Sequence, residues 1–170
     1  MNTRTSTNKT KKVAKVAEEV LVFKAGDIDR SHTSSVAGVM FYKIPSIKDP
    51  RGNLSIIEYG KQLPFAPKRA FAVYDVPSKK VRGEHAHKKQ QQYLICVKGS
   101  VHVLVDDGVH REEIVLRAFD AGIYVPPLVW GTEYKYSEDG VLLVFASGLY
   151  DPNDYIRDYQ EFLEIVKKRK

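Results

Sequence analysis

The chain has 170 residues, 43% hydrophobic and 28% charged, which is the composition of one soluble folded domain and not of a disordered or fibrous chain. Its net charge of +6 sits in the tails: residues 1–15 contribute +5 and Lys167–Lys170 contribute +4, leaving 16–166 at −3, so the nucleic-acid reading of a basic protein is set aside. A lone Cys96 excludes an internal disulfide framework and fits a reducing cytoplasm, and no apolar run nears the ~20 residues that span a bilayer.

In chain order, residues 1–37 read as an N-terminal extension, partly disordered. Residues 1–12 are rich in Thr, Asn, Ser and Lys; 13–23 carry a weak helical pattern; 26–37 read as a linker. The apolar patch Val20–Phe23 is too short for a secretory core. Residues 38–170 form the main domain. Strands are expected at Leu54–Glu58, Ala70–Val76, Gln92–Lys98, Ser100–Val105, Glu113–Leu116, Gly122–Val125, Thr132–Tyr136 and Val141–Ala146, from their β-branched and aromatic content and the turns between them. Asp107-Gly108 suits a tight hairpin turn. The final element reads as a helix opening at Asp151-Pro152, with Tyr155, Tyr159, Phe162 and Val166 as its inward stripe. Many short strands closed by one helix predict a mainly β barrel with a C-terminal α-helix.

The segment that carries chemistry is Arg82-Gly83-Glu84-His85-Ala86-His87-Lys88-Lys89. On a strand, residues two apart share a face, so His85 and His87 are expected to point into one cavity. The ordinary alternative is two surface histidines on an exposed strand. A preceding glycine, a flanking arginine and the apolar strand that follows argue against it. Cys96 lies in that apolar strand and reads as buried and inert. His102 alternates with valines and reads as solvated, while Lys88 and Lys89 read as rim charge.

This layout resembles the first motif of the cupin superfamily, small jelly-roll barrels. Its glutamate position falls on Gln91 or Gln92. Gly122–Gly131 resembles the second motif, with Gly131 where that motif ends in histidine. Two histidines fall short of the three protein donors usual in a catalytic metal site, so the resemblance implies no metal and no other cofactor. The pair is read instead as a proton carrier. A metal-dependent oxygenase is disfavoured by Gln92 and Gly131.

The segments 49–58, 64–71, 81–108, 122–130 and 141–159 resemble the sugar nucleotide 3,4-ketoisomerases, cupins that act on dTDP-4-keto-6-deoxy-D-glucose. RGxHAHKK followed by LYDxxDYIRxY is the most specific part. The resemblance implies proton transfer through an enediol; the histidine pair is read as the carrier, His85 as the main one with His87 assisting or shuttling, and the division of roles between them is left open. It implies substrate contacts at Arg51, Arg69, Arg82, Tyr124, Trp130 and Gly131, with Arg69 and Arg82 gripping the diphosphate. Tyr124 and Trp130 could equally be core. Arg51 resembles members that make the galacto product, while Gly131 departs from the histidine or arginine of relatives. The resemblance also implies a homodimer, in which residues 39–48 could be a strand that crosses to the partner. It places the chain in cytoplasmic deoxyamino-sugar biosynthesis for a surface polysaccharide, ahead of an aminotransferase, with no nucleic-acid or membrane partner. Two alternatives stand: a sugar nucleotide epimerase of the same fold, disfavoured because no aspartate is evident near the histidine pair, and a non-catalytic sugar-binding cupin.

Overall fold

The computed structural model describes Val20–Leu21 and residues 31–169, with 20–21 and 31–33 as backbone. One sheet runs in the order β1 (Val20–Leu21), β10 (Arg111–Arg117), β9 (Ser100–Asp106), β12 (Trp130–Tyr134), β7 (Arg82–His87), β14 (Tyr155–Ile156). The facing sheet runs β2 (Ser31–Thr33), β3 (Met40–Lys43), β11 (Ala121–Val125), β8 (Gln92–Lys98), β13 (Val141–Ala146), β6 (Arg69–Val73). Their pairings are antiparallel except for β1 with β10. A separate hairpin joins β4 (Ser46–Asp49) to β5 (Gly52–Ser55). The two sheets face each other as a jelly roll.

Alternation sets the core. Val101, Val103 and Val105 on β9 are buried inward against Leu94 and Cys96 of β8, Ile114 and Leu116 of β10, and Leu142 and Val144 of β13. The other face of β8 presents Tyr93 and Ile95 to Ile44, Leu63 and Phe65, outside the barrel. A third cluster puts Trp130 and Ile156 under Phe162 of the terminal helix α1 (Tyr159–Lys167).

The helix begins later than the sequence suggests. Asp151 does cap a turn, accepting from Asn153 N, but that turn is a single 3₁₀ stretch, Pro152–Asp154. The chain then pairs with the edge of β7, Tyr155 opposite His87 and Ile156 opposite Ala86, before Asp158 caps α1. A free strand edge offers the backbone partners that a continued helix would otherwise supply. Tyr155 therefore leaves the helical stripe, while Phe162 stays fully buried on it.

The linker reading of 26–37 is corrected for its described part. Ser31–Thr33 pair with β3, Val36 is fully buried, and Ser34 and Ser35 bond the buried Glu112 carboxylate. The helical pattern over 13–23 lies outside the described residues except at Val20–Leu21, which form β1. Residues 40–43 pair with β11 of their own chain. No helix among the described residues is long and apolar enough to cross a membrane.

Phe162→Ala should lower the unfolding free energy by about 3–5 kcal/mol, the usual cost of deleting a buried aromatic. Urea unfolding reads this as a lower midpoint at unchanged slope. An unchanged midpoint would show that α1 is not part of the cooperative core.

Candidate active site

The site starts at an irregularity in β7. Gly83 and Glu84 both adopt left-handed backbone, with φ of 74° and 52°. The register against β12 shifts there, pairing Gly131 with His85 but Thr132 with Gly83. Glu84 is the extra residue of a bulge, and bulges re-aim the side chains beside them. Past it, His85 and His87 face the barrel interior together, as their spacing suggests. Their ring centroids are 4.9 Å apart and their Nε2 atoms 3.2 Å apart.

His87 is held from behind. Its Nδ1 donates to Asp154 Oδ2 at 2.9 Å, and both side chains are buried. The carboxylate is fixed in turn by the amides of Lys89 (2.8 Å) and Gln90 (3.2 Å). With Nδ1 protonated, His87 Nε2 is a lone-pair acceptor, and Gln92 Nε2 donates to it at 3.1 Å. The backbone of Gly83 accepts a hydrogen bond from His85, which falls to Nδ1 because Nε2 faces His87. Two Nε2 lone pairs therefore converge, a geometry suited to taking up one proton between them.

Burial keeps both rings neutral. It pushes the His87 pKa from the usual 6.5 down to about 4, helped by the adjacent His85 and opposed by Asp154. His85 also falls, chiefly by burial; the Gly83 bond opposes this and the positive Arg157 adds to it.

A cavity of about 360 Å³ lies between the sheets, lined by His85, Gln92, Arg82, Glu133 and apolar residues including Phe71 and Leu142. A narrower space shares His85, Gln92 and Glu133 with it and reaches His87 and Gly131. Of the two glutamines left open above, Gln92 is the one inside the cavity; Gln91 instead accepts from Tyr124 Oη at 3.0 Å.

The other expected contacts divide. Exposed Arg82 stands in the cavity wall. Arg69 donates through Nη2 to Gln90 Oε1 at 2.8 Å and lies over Phe71 and Tyr150, while its buried Nε has no partner among the described residues. Gly131 stands opposite His85 in the cavity wall. Tyr124 is not brought to the histidines, since its ring packs on Phe65 outside the barrel. Trp130 takes the core reading, 5.1 Å from Tyr159 and 5.6 Å from Phe162. Arg51 is exposed on the β4–β5 hairpin and pairs with Asp49 at 2.8 Å, away from the cavity of its own chain.

Sequence reasoning missed four residues. Asp154 follows directly on the helix-start signal Asp151-Pro152, and the expectation that no aspartate accompanies the histidines is corrected by its bond to His87. Tyr155 packs against both imidazoles, at 4.9 and 4.4 Å, and Arg157 covers its other side at 4.3 Å. Glu133 could have been found by parity, since it lies two residues from Gly131 on one strand. His102 is half-buried against Glu113 at 2.6 Å and is not solvated. Cys96 is buried, which pushes its thiol up to about 11 and leaves it inert. Among the described residues, no group of three or more His, Cys, Asp and Glu is arranged to hold a metal ion.

Comparison with known proteins gives this geometry a context. Residues 37–167 match the family described as FdtA: WxcM-like, C-terminal. The TDP-4-oxo-6-deoxy-alpha-D-glucose-3,4-oxoisomerase of Aneurinibacillus thermoaerophilus is 43% identical over 122 residues, covering 72% of this chain and 88% of the relative. The solved structure of QdtA, a sugar 3,4-ketoisomerase from Thermoanaerobacterium thermosaccharolyticum in complex with TDP, is 38% identical with a TM-score of 0.75, covering 78% of this chain and 97% of that one. WlaRB, a TDP-quinovose 3,4-ketoisomerase from Campylobacter jejuni, is 36% identical with a TM-score of 0.72, covering 76% and 99%.

Nitrogen NMR should find His87 protonated at Nδ1 and neutral at pH 7. Below 6.5 the unfolded chain takes a proton that folded His87 refuses, so stability should fall as pH drops from 6.5 toward 4. In Asp154→Asn one carboxylate oxygen becomes an NH₂, so either the Lys89 or the Gln90 amide loses its acceptor and the neutral amide holds His87 Nδ1–H more weakly, which should raise the share of the Nε2–H tautomer. An Nε2–H tautomer already present in the parent would remove the orienting role of Asp154.

Proposed function

The chain belongs to the FdtA family of WxcM-like, C-terminal domains and is a 3,4-ketoisomerase of TDP-linked sugars, and we propose that it works by proton transfer through the His85–His87 pair. The substrate proposed is TDP-4-keto-6-deoxy-D-glucose. The observation that carries the mechanism is the convergence of two neutral imidazoles on one cavity wall, with Asp154 fixing the inner ring.

The C4 carbonyl acidifies the hydrogen on C3. His85 lines the larger cavity and accepts that proton. His87 lies behind it and shares the charge, steadied by Asp154. The resulting enediol takes a proton at C4, leaving the ketone at C3. No redox step is needed. A positioned base supplies about 10²–10⁴-fold of the acceleration.

Arg69 and Arg82 are the proposed diphosphate contacts, joined by Arg157, which the sequence reading overlooked. Arg69 is best prepared, because its buried Nε is an unused donor. For the product, the galacto configuration is proposed from the resemblance at Arg51. Arg51 can act only on a site its hairpin reaches, so this reading goes with the proposed homodimer. Exposed Ile47, Leu54 and Tyr59 on and beside that hairpin support it. The proposed setting remains a cytoplasmic deoxyamino-sugar pathway with an aminotransferase downstream. The Asp154–His87 pair removes the argument that separated this reading from an epimerase; the 43% identity to an oxoisomerase now favours isomerisation.

Incubation with TDP-4-keto-6-deoxy-D-glucose should yield a 3-keto sugar with an axial C4 hydroxyl by NMR. His85→Asn and His87→Asn should each lower kcat by about 10²–10⁴-fold with little loss of TDP affinity. A C3 or C5 epimer, unchanged substrate, or near-parental turnover in both variants would overturn the reading. Arg69→Ala should raise KM about ten- to a hundredfold, the loss of one or two charge-assisted hydrogen bonds. An unchanged KM would place the diphosphate elsewhere.

A further inference from the structure

Glu133 is a buried ionisable group in the cavity wall that this mechanism leaves unused. It is 9% exposed and lines both spaces that His85 lines. A buried carboxyl in the wall of a reaction cavity calls for an explanation.

The surrounding backbone is shaped to hold it. The two carboxyl oxygens stand 2.7 and 3.0 Å from where a Cβ on Gly83 would be, so only glycine leaves them room. On the same strand face, a Cβ on Gly131 would meet nothing nearer than Glu133 Oε1 at 4.0 Å. The missing side chain at 131 thus opens space beside the carboxyl, opposite His85. The charged and titratable groups around Glu133 are Arg82, His85 and His87 from β7, Tyr74 just after β6 and Tyr136 beyond β12; β6 and β13 contribute the apolar Phe71, Val73, Leu142 and Val144. Burial pushes the carboxyl up to about 7 against the pull of Arg82, so a protonated fraction is present at neutral pH.

Resting on the ketoisomerase reading, we propose that Glu133 is the oxygen-side proton carrier: it moves the hydroxyl proton from O3 to O4 while the histidine pair moves the carbon-bound proton from C3 to C4. The isomerisation needs both transfers. As His85 takes the C3 proton, the C–H pair forms the C3–C4 double bond. The carbonyl π pair moves to O4, which takes the carboxyl proton of Glu133. In the second half, the O3–H proton passes to the other Glu133 oxygen and the O3 pair forms the C3 carbonyl. The double-bond pair then takes the proton at C4 from the histidine pair. Glu133 ends protonated as it began, and no oxidant or reductant enters. A neutral carboxyl in an apolar wall is also a strong donor to the developing enediolate oxygen.

The test compares the parent and Glu133→Gln on TDP-4-keto-6-deoxy-D-glucose. Gln keeps the shape and one donor but cannot exchange protons. The parent kcat should fall as pH rises through the carboxyl titration. Glu133→Gln should lose about 10²-fold or more in kcat, keep KM within about threefold and lack that alkaline fall. A Glu133→Gln enzyme with parental kcat, or with the alkaline fall intact, overturns the proposal while leaving the ketoisomerase reading standing. A parent that does not isomerise this substrate removes the reading, and the proposal with it. If the variant fails to fold, ¹³C NMR of the parent decides: a Glu133 carboxyl titrating above about pH 6 supports the proposal, and one titrating at or below it overturns it.

Discussion

The hydrogen bond from His87 Nδ1 to Asp154 is the contact on which the rest of the site depends. It joins residues 67 apart in sequence, and it exists because the chain after the last barrel strand turns back to pair with β7. That pairing sets Tyr155 against both imidazoles, covers the outer side of β7, and delivers the chain to α1, whose Phe162 seals Trp130. The bond fixes the tautomer of His87, and the tautomer decides that its free nitrogen faces His85 and Gln92. A rotated or re-tautomerised ring would turn an acceptor into a donor and leave no proton-taking pair.

The barrel interior supplies the second constraint. The same desolvation lowers both histidines and raises Glu133, opposite directions with one cause, since burial disfavours the charged form of each. Each pKa unit corresponds to about 1.36 kcal/mol between protonation states, so modest burial suffices. The positive charges nearest the histidines are Arg69, Arg82 and Arg157, the proposed diphosphate contacts. Lys88 belongs to the exposed rim, donating to the backbone of Asn153.

Much of this was legible because two periodicities are simple. Alternation along Ser100–Val105 and Val141–Ala146 marked barrel strands, and spacing of two put His85 and His87 on one face. Tyr159, Phe162 and Val166 marked the final helix for the same kind of reason. What stayed hidden was set by tertiary competition. Asp151-Pro152-Asn153-Asp154 carries a helix-start signal, and locally it does cap a turn, but the open edge of β7 outcompetes the helix for Tyr155 and Ile156. The role of Asp154 follows from that pairing and has no local signature. Tyr124 and Trp130 were ambiguous because an aromatic on a barrel strand serves either face equally well; the register against β8 and α1 decided for the outer one. Arg51 was placed by resemblance alone, and its hairpin makes no strand pairing with either main sheet.

The central claim is that the two histidines carry the C3 proton together. The most direct measurement is isomerisation of unlabelled TDP-4-keto-6-deoxy-D-glucose in deuterium oxide, with the product analysed by NMR at C4. A proton shared between two ring nitrogens exchanges with solvent before it returns, so the account predicts deuterium at C4. Complete retention of the original C3 hydrogen at C4, as in a direct hydride shift, would contradict it.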